Sequence, residues 1–171
     1  MLHAFRKGEE IAFDYFFRQY FSSLSLFAYK LINDEQESED IVQDCFVQLW
    51  KKRKSLQHID AVKSYLYTAV KNRCMDAIRK RKSLSASSGI SEWIADGEPN
   101  VEALVVMAET VREIQLLIDL LPPRMQQVFK LYYLEGKTYQ EIGQMMETDP
   151  ETVRNQRFKA LQVIRKTFIP G

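Results

Sequence analysis

Apolar residues recur near a 3.6-residue period over positions 9–32, at Ile11, Phe13, Phe16, Phe17, Phe21, Leu24, Phe27 and Leu31. That period predicts an amphipathic helix. Asn33 and Asp34 interrupt it. Asp34, with Glu37 three positions later, has the layout of a capping box with Asp in the Ser/Thr place. It opens a second helix to about Lys52, whose inward face is Ile41, Val42, Cys45, Phe46 and Leu49. A loop from Lys51-Lys52-Arg53-Lys54 to Asp60 leads to a third helix over roughly 61–82. Val62, Leu66, Ala69, Val70 and Ala77 form one stripe of it, and Ser64, Thr68, Lys71, Met75, Arg79 and Lys82 the opposite one.

Between residues 83 and 100 the periodicity lapses. A Ser-rich stretch leads into Asp96-Gly97-Glu98-Pro99-Asn100, the composition of a flexible linker and a domain boundary. Trp93 and Ile94 inside it are a candidate contact point. Val101–Leu120 is again amphipathic. Pro122-Pro123 stops it and presets a helix start at Arg124, because Pro suits the first helical turn. Gly136 sits where a left-handed cap would close that helix. Thr138-Tyr139-Gln140-Glu141 is a capping box opening a short helix through Met146, with Ile142 and Met146 inward. Glu147-Thr148-Asp149-Pro150 is a turn in which Asp149 caps a last helix over about 150–167. A short helix, a tight turn and a longer basic helix make helix-turn-helix geometry. No segment has strand periodicity, so the expected fold is all-α: two small helical domains, 1–82 and 101–171, joined by the linker 83–100.

Composition narrows the class. In 171 residues, 46% apolar and 27% charged with six Gly and five Pro argue for a helix-rich globular chain, against a collagen-like or wholly disordered one. No apolar run is long enough for a membrane span, and the first residues lack a signal-peptide layout. Cys45 and Cys74 stand alone, as core thiols of a reduced, cytoplasmic protein would. The net charge of +1 hides an alternation. Lys+Arg against Asp+Glu run 4 to 9 over residues 1–50, 11 to 2 over 51–82, 1 to 7 over 83–123 and 8 to 5 over 124–171. Basic segments suit a phosphate backbone; acidic ones suit a basic protein surface or solvent.

Three faces carry the candidate chemistry. On the last helix, Val153, Ala160 and Ile164 point one way and Arg154, Asn155, Phe158 and Lys159 the other. A guanidinium, an amide, an apolar ring and an amine are the side-chain types that read a major groove; the alternative is a solvated basic face. Arg157 falls on the inward side, where its stem packs and its head is free to reach phosphate. The basic loop and third helix interleave lysines and arginines with Trp50, His58, Tyr65 and Tyr67, the mixture that single-stranded nucleic acid needs. The alternative leaves the tyrosines as partial core. On the second helix, Asp40, Gln43, Asp44 and Val47 lie opposite the buried stripe, as a docking strip for a basic helix or as a solvated acidic helix start. A carboxylate metal site from Glu37, Asp40 and Asp44 lacks any partner His. No phosphate loop, nucleophile elbow, zincin or kinase signature is present, so no enzyme, cofactor or metal is expected.

Over nearly its whole length the chain resembles bacterial RNA polymerase sigma factors of the extracytoplasmic-function (ECF) group. Asp40-Ile41-Val42-Gln43-Asp44 through Trp50 is similar to the family's helix that docks on the clamp coiled coil of the polymerase's largest subunit. Tyr65-Leu66, Ala69, Asn72, Asp76 and Arg79 fall where its promoter-melting helix has its pattern. Leu121-Pro122-Pro123-Arg124, Tyr139-Gln140-Glu141-Ile142-Gly143 and Thr152-Val153-Arg154 match the domain that binds the upstream −35 element. The departures are Tyr65 for the commoner Trp, Gly143 for Ala, Glu147 for Gly and Arg157 for an aliphatic residue.

The resemblance implies sigma region 2 over 1–82, a linker, and region 4 over 101–171. Asp40, Gln43, Asp44 and Val47 would hold core polymerase. His58, Lys63, Tyr65, Lys71, Asn72 and Arg79 would seize the non-template strand at the −10 element, and Arg154, Asn155, Phe158 and Lys159 would read −35 in promoter DNA. It further implies a regulator, usually a membrane-bound anti-sigma factor, and an acidic linker threading the polymerase cleft. The rival is a free-standing helix-turn-helix regulator, which would dimerise on duplex operator DNA without polymerase.

Overall fold

The structure is a computed structural model that describes residues 1–88 and 100–168. Among the described residues every regular element is helical: α1 (Leu2–Lys7), α2 (Glu10–Ile32), α3 (Glu35–Lys52), a single 3-10 turn (Arg53–Ser55), α4 (Ile59–Ser88), α5 (Val101–Asp119), α6 (Pro123–Tyr133), α7 (Tyr139–Met145) and α8 (Pro150–Phe168). The chain forms two compact units, Met1–Arg112 and Glu113–Gly171. The all-α expectation holds. None of these helices is long and apolar enough to cross a membrane.

In the first unit, α2, α3 and α4 close around Phe16, Leu24, Phe27, Val42, Phe46, Leu49, Val62, Leu66 and Val70, all but excluded from solvent. Each such side chain contributes about 1.5–3 kcal/mol on burial. α1 has no counterpart among the elements expected from the periodicity. It is six residues long, too short to show a period, and its signal is Gly8, left-handed at φ 88°, after Arg6 and Lys7 in the last turn. Phe5 is its anchor, with its ring edge-on to Phe16 (5.1 Å) and Trp50 (5.5 Å). Ile11, expected inward, is 73% exposed, and Ala12 takes the buried place one position on.

Asn33 ends α2 with φ 52°, and its amide donates to the Tyr29 carbonyl. Asp34 caps α3, accepting from the Glu37 amide at 3.0 Å. The expected return half of that capping box is absent. The Glu37 carboxylate pairs instead with Arg81, which also donates to the Ile32 carbonyl (2.9 Å) and to Asp34 (3.4 Å). One guanidinium thus fastens α4 to the α2–α3 corner. Around it α4 runs to Ser88, beyond the expected end near 82. Residues 59–88 contain no Gly or Pro, and propagating an existing helix through Ser and Ala costs little. Trp93 and Ile94 lie outside the described residues.

The division between the units falls inside α5, not ahead of it. Val101, Leu104 and Val105 pack on the first core and Ala108 is fully buried in it. The first half of α5 thus completes the first unit. In the second unit, the end of α5 joins α6 and α8 through Ile118, Leu121, Phe129 and Ala160, and Val128, Leu131, Ile142 and Val153 form the seam of α6, α7 and α8. Pro123 occupies the first turn of α6. Gly136 is left-handed (φ 66°) as expected, but α6 ends earlier, at Tyr133, with Leu134 as its cap.

Candidate functional site

The helix-turn-helix is built by its caps. Thr138 Oγ1 accepts from the Glu141 amide (3.3 Å), and the Glu141 carboxylate accepts from the Thr138 amide (2.7 Å), closing both halves of the box. The bond from the Thr138 amide, with a second from the Thr138 hydroxyl (2.8 Å), holds the Glu141 carboxyl below its ordinary pKa. Asp149 accepts from the amides of Glu151 (2.8 Å) and Thr152 (3.1 Å) and from the Thr152 hydroxyl, which likewise lowers its pKa.

Between the caps the chain turns very tightly. The Thr148 amide donates to the Gly143 carbonyl at 2.9 Å, and a Cβ on Gly143 would stand 2.7 Å from the Thr148 carbonyl oxygen. Glu147 carries the left-handed residue of the turn, at φ 50°. The two departures in this motif are therefore physically linked to one turn. Gly143→Ala is expected to lower the stability of the second unit by about 2 kcal/mol, while Glu147→Gly raises it by about 1 kcal/mol. Thermal denaturation of the two variants, with opposite shifts in Tm, checks this pair.

α8 buries Val153 in the seam with α6 and α7 and Ala160 in the cluster with α5 and α6, both fully, and presents Arg154, Asn155, Phe158 and Lys159 to solvent. Phe158 is 56% exposed, a large apolar side chain presented to solvent. Arg154 lies 3.6 Å from Glu151, an exposed pair that contributes little. Arg157 does not reach outward. Its guanidinium is taken up by the tyrosines of α6 and α7, at 5.1 Å from the Tyr132 ring and 5.8 Å from Tyr139.

On α3, Asp40, Gln43, Asp44 and Val47 are all exposed and share one strip at i, i+3, i+4, i+7 spacing. Val47 keeps 48% of its surface. Asp40 accepts from Gln36 (3.2 Å), and Asp44 lies 3.7 Å from Arg73 of α4. With Glu37 on Arg81, the three carboxylates weighed as a metal site turn to three different partners.

The candidate −10 set divides. Tyr65, Asn72 and Arg79 repeat at seven-residue spacing, two turns apart along one strip of α4. Asn72 and Arg79 are exposed and Tyr65 is half-buried. The Lys52 ammonium lies 5.3 Å from the Tyr65 ring centre, and burial raises the Tyr65 hydroxyl pKa, so it stays protonated. Arg79 meets Asp76 of the same strip at 3.2 Å. His58, just ahead of α4, and Lys71 are exposed as well.

Lys63 is on the other side of the helix, paired with Glu109 of α5. Two of the interleaved aromatics are core. Trp50 packs edge-on against Phe5 and Phe13 beneath the Arg53 guanidinium (4.5 Å). Tyr67 is buried, donating to Glu109 at 2.8 Å. Glu109 and Arg112 are residues that periodicity alone does not single out; a Glu and an Arg three apart, among several polar residues of an amphipathic helix, are their only local signal. Burial pushes the thiols of Cys45 up to about 11 and Cys74 up to about 12, as suits core residues.

The two helical units, one ending in a capped helix-turn-helix and the other bearing a carboxylate strip beside a basic helix, define a nucleic-acid-handling protein. The family model for sigma-70 region 2 matches residues 16–84 and that for sigma-70 region 4 matches residues 111–164. The chain belongs to the sigma-70 family of RNA polymerase sigma factors, in its ECF group. It is similar to the ECF sigma factor SigW of Bacillus subtilis, 26% identical over 94% of this chain and 91% of that one. It is also similar to SigE of Mycolicibacterium smegmatis, 23% identical over 90% of this chain and 60% of that one. Among solved structures, a chain of the RsbN–BldN complex aligns over 98% of this chain and 99% of its own at 15% identity, TM-score 0.40. A chain of the complex of the sigma factor RpoE with the anti-sigma factor NepR from Bartonella quintana aligns over 91% and 95% at 19% identity, TM-score 0.41.

Proposed function

We propose that this sigma factor works by binding alone, with no covalent chemistry, through three grips. The strip Asp40, Gln43, Asp44 and Val47 clasps the basic clamp coiled coil of core polymerase, its carboxylates supplying charge and Val47 an apolar contact. Tyr65, Asn72 and Arg79, with His58 and Lys71 beside them, seize the non-template strand at −10. Arg154, Asn155, Phe158 and Lys159 read the −35 duplex. A membrane-bound anti-sigma factor that covers these surfaces until a signal arrives completes the proposal, with the chain itself uninserted in the membrane and acting in the cytoplasm.

The observation that carries the reading is that each grip is a solvent-facing strip at helical spacing, on a helix whose opposite stripe is core. Melting needs the second grip. Unstacking a base costs roughly a few kcal/mol, and stacking on an aromatic ring returns about 1–3 kcal/mol per base, so phosphate contacts must supply the balance. Tyr65→Ala is therefore expected to spare closed-complex formation and slow opening by roughly ten- to a hundredfold. Permanganate reactivity of thymines near −10 reads this out. Melting at the parent rate would remove Tyr65 from the capture surface.

A further inference from the structure

Arg157 is a cation among apolar neighbours. Val153 and Ala160, on the same side of α8, are fully buried, and Ile164 is half-buried. Among the described residues no carboxylate pairs with it. Its partners are three phenol rings instead: the guanidinium lies over Tyr132 and Tyr139, and Nη1 donates to the Tyr133 hydroxyl at 3.2 Å. Tyr132 and Tyr139 are stacked on each other, 5.0 Å apart and 12° from parallel, and Tyr133 meets Tyr132 edge-on at 4.9 Å. Arg157 Nε is buried with no acceptor.

An apolar side chain would fill this place without desolvating a charge. What the arginine adds is direction. Apolar contact is indifferent to rotation, whereas a planar guanidinium stacked over rings and donating to one hydroxyl fits a single orientation. Those rings come from two elements, α6 (Tyr132, Tyr133) and the first residue of α7 (Tyr139). The contact therefore ties the rotation of α8 to both helices behind it. Arg154 and Phe158, immediate neighbours of this registration point along α8, move with any error in that rotation.

We propose that Arg157 is a positioning residue: it fixes the rotation of α8 and so sets sequence discrimination at the upstream element, without contacting DNA. This rests on the −35 reading by α8 given above.

The test uses holoenzyme assembled from core polymerase and the full chain. Promoter fragments with a randomised upstream segment are selected with the parent protein, and affinities for the selected and a scrambled upstream sequence are measured across salt. Arg157→Leu is expected to leave the Tm of the chain unchanged or higher, yet to cut the discrimination ratio about tenfold with no change in salt slope. Arg157→Lys keeps the charge but loses the fork, and falls between. Tyr133→Phe, which removes one hydroxyl only, lowers the ratio about threefold and covers the case in which the leucine variant does not fold.

A slope reduced by about one, with equal losses on both sequences, would make Arg157 a phosphate ligand and overturn the proposal. Unchanged discrimination in all three variants would leave it as packing alone and overturn it too. If the parent holoenzyme enriches no upstream sequence, the −35 role of α8 fails first, and this proposal with it.

Discussion

Asp44→Arg is expected to cost this chain its hold on core RNA polymerase, weakening Kd at least a hundredfold, about 3 kcal/mol. The charge sits mid-strip, between Asp40, Gln43 and Val47, where a docked basic helix would cover it. Reversal both removes an attraction and sets like charge against like. The fold has little at stake. The Asp44 side chain is 67% exposed, and its contact with Arg73 at 3.7 Å is the kind of surface pair that contributes less than about 1 kcal/mol. Titration of labelled core enzyme, beside a thermal melt of the variant, separates loss of binding from loss of structure. Asp14→Arg, at an exposed pair on α2 away from the strip, should bind core like the parent. Equal binding by Asp44→Arg would remove the α3 strip from the polymerase interface.

The second large effect is expected at Glu109. Its carboxylate is 12% exposed and accepts from Tyr67 (2.8 Å), from Arg112 (3.2 Å) and from Lys63, while the Arg112 guanidinium lies 5.1 Å from the Tyr20 ring centre. Burial by itself would raise its pKa; the bonds from Lys63, Tyr67 and Arg112 outweigh burial and hold the carboxyl below its ordinary value. Glu109→Ala strands a guanidinium that is only 18% exposed and a buried phenol, at a cost of about 3 kcal/mol. Exchange of amides 104–109 should accelerate roughly a hundredfold as the first half of α5 leaves the first unit.

The same pair of states responds to acid. A carboxyl whose pKa is lower folded than unfolded contributes stability above its unfolded value, about 4.3. It loses that contribution as pH falls through the lower folded value. The parent's α5 amides should therefore gain exchange below about pH 4, and those of Glu109→Ala should show no such step.

Much of this fold is written in short-range signals. The α2, α3 and α8 faces follow from spacing, and the caps at Asp34, Thr138 and Asp149 from single residues with fixed hydrogen-bonding habits. The strips on α3 and α8 were legible for the same reason: opposite sides of a helix are decided by position alone. What the sequence concealed depends on tertiary partners. Lys63 reads as a free cation until Glu109, 46 positions away, is folded against it. Tyr67 and Trp50 read as stacking platforms until their core neighbours are known. Arg157 reads as a phosphate ligand until three tyrosines surround its head. In each case the residue type allowed two uses, and a distant side chain chose between them.

The most direct measurement is start-site mapping with purified core polymerase, with and without the full chain, on promoter fragments. Permanganate footprints on the same complexes show which duplexes open. The account predicts specific starts only when the chain is present, with reactive thymines near −10 that depend on both proteins. A chain that ignores core polymerase, yet grips an intact operator duplex tightly on its own, would contradict it.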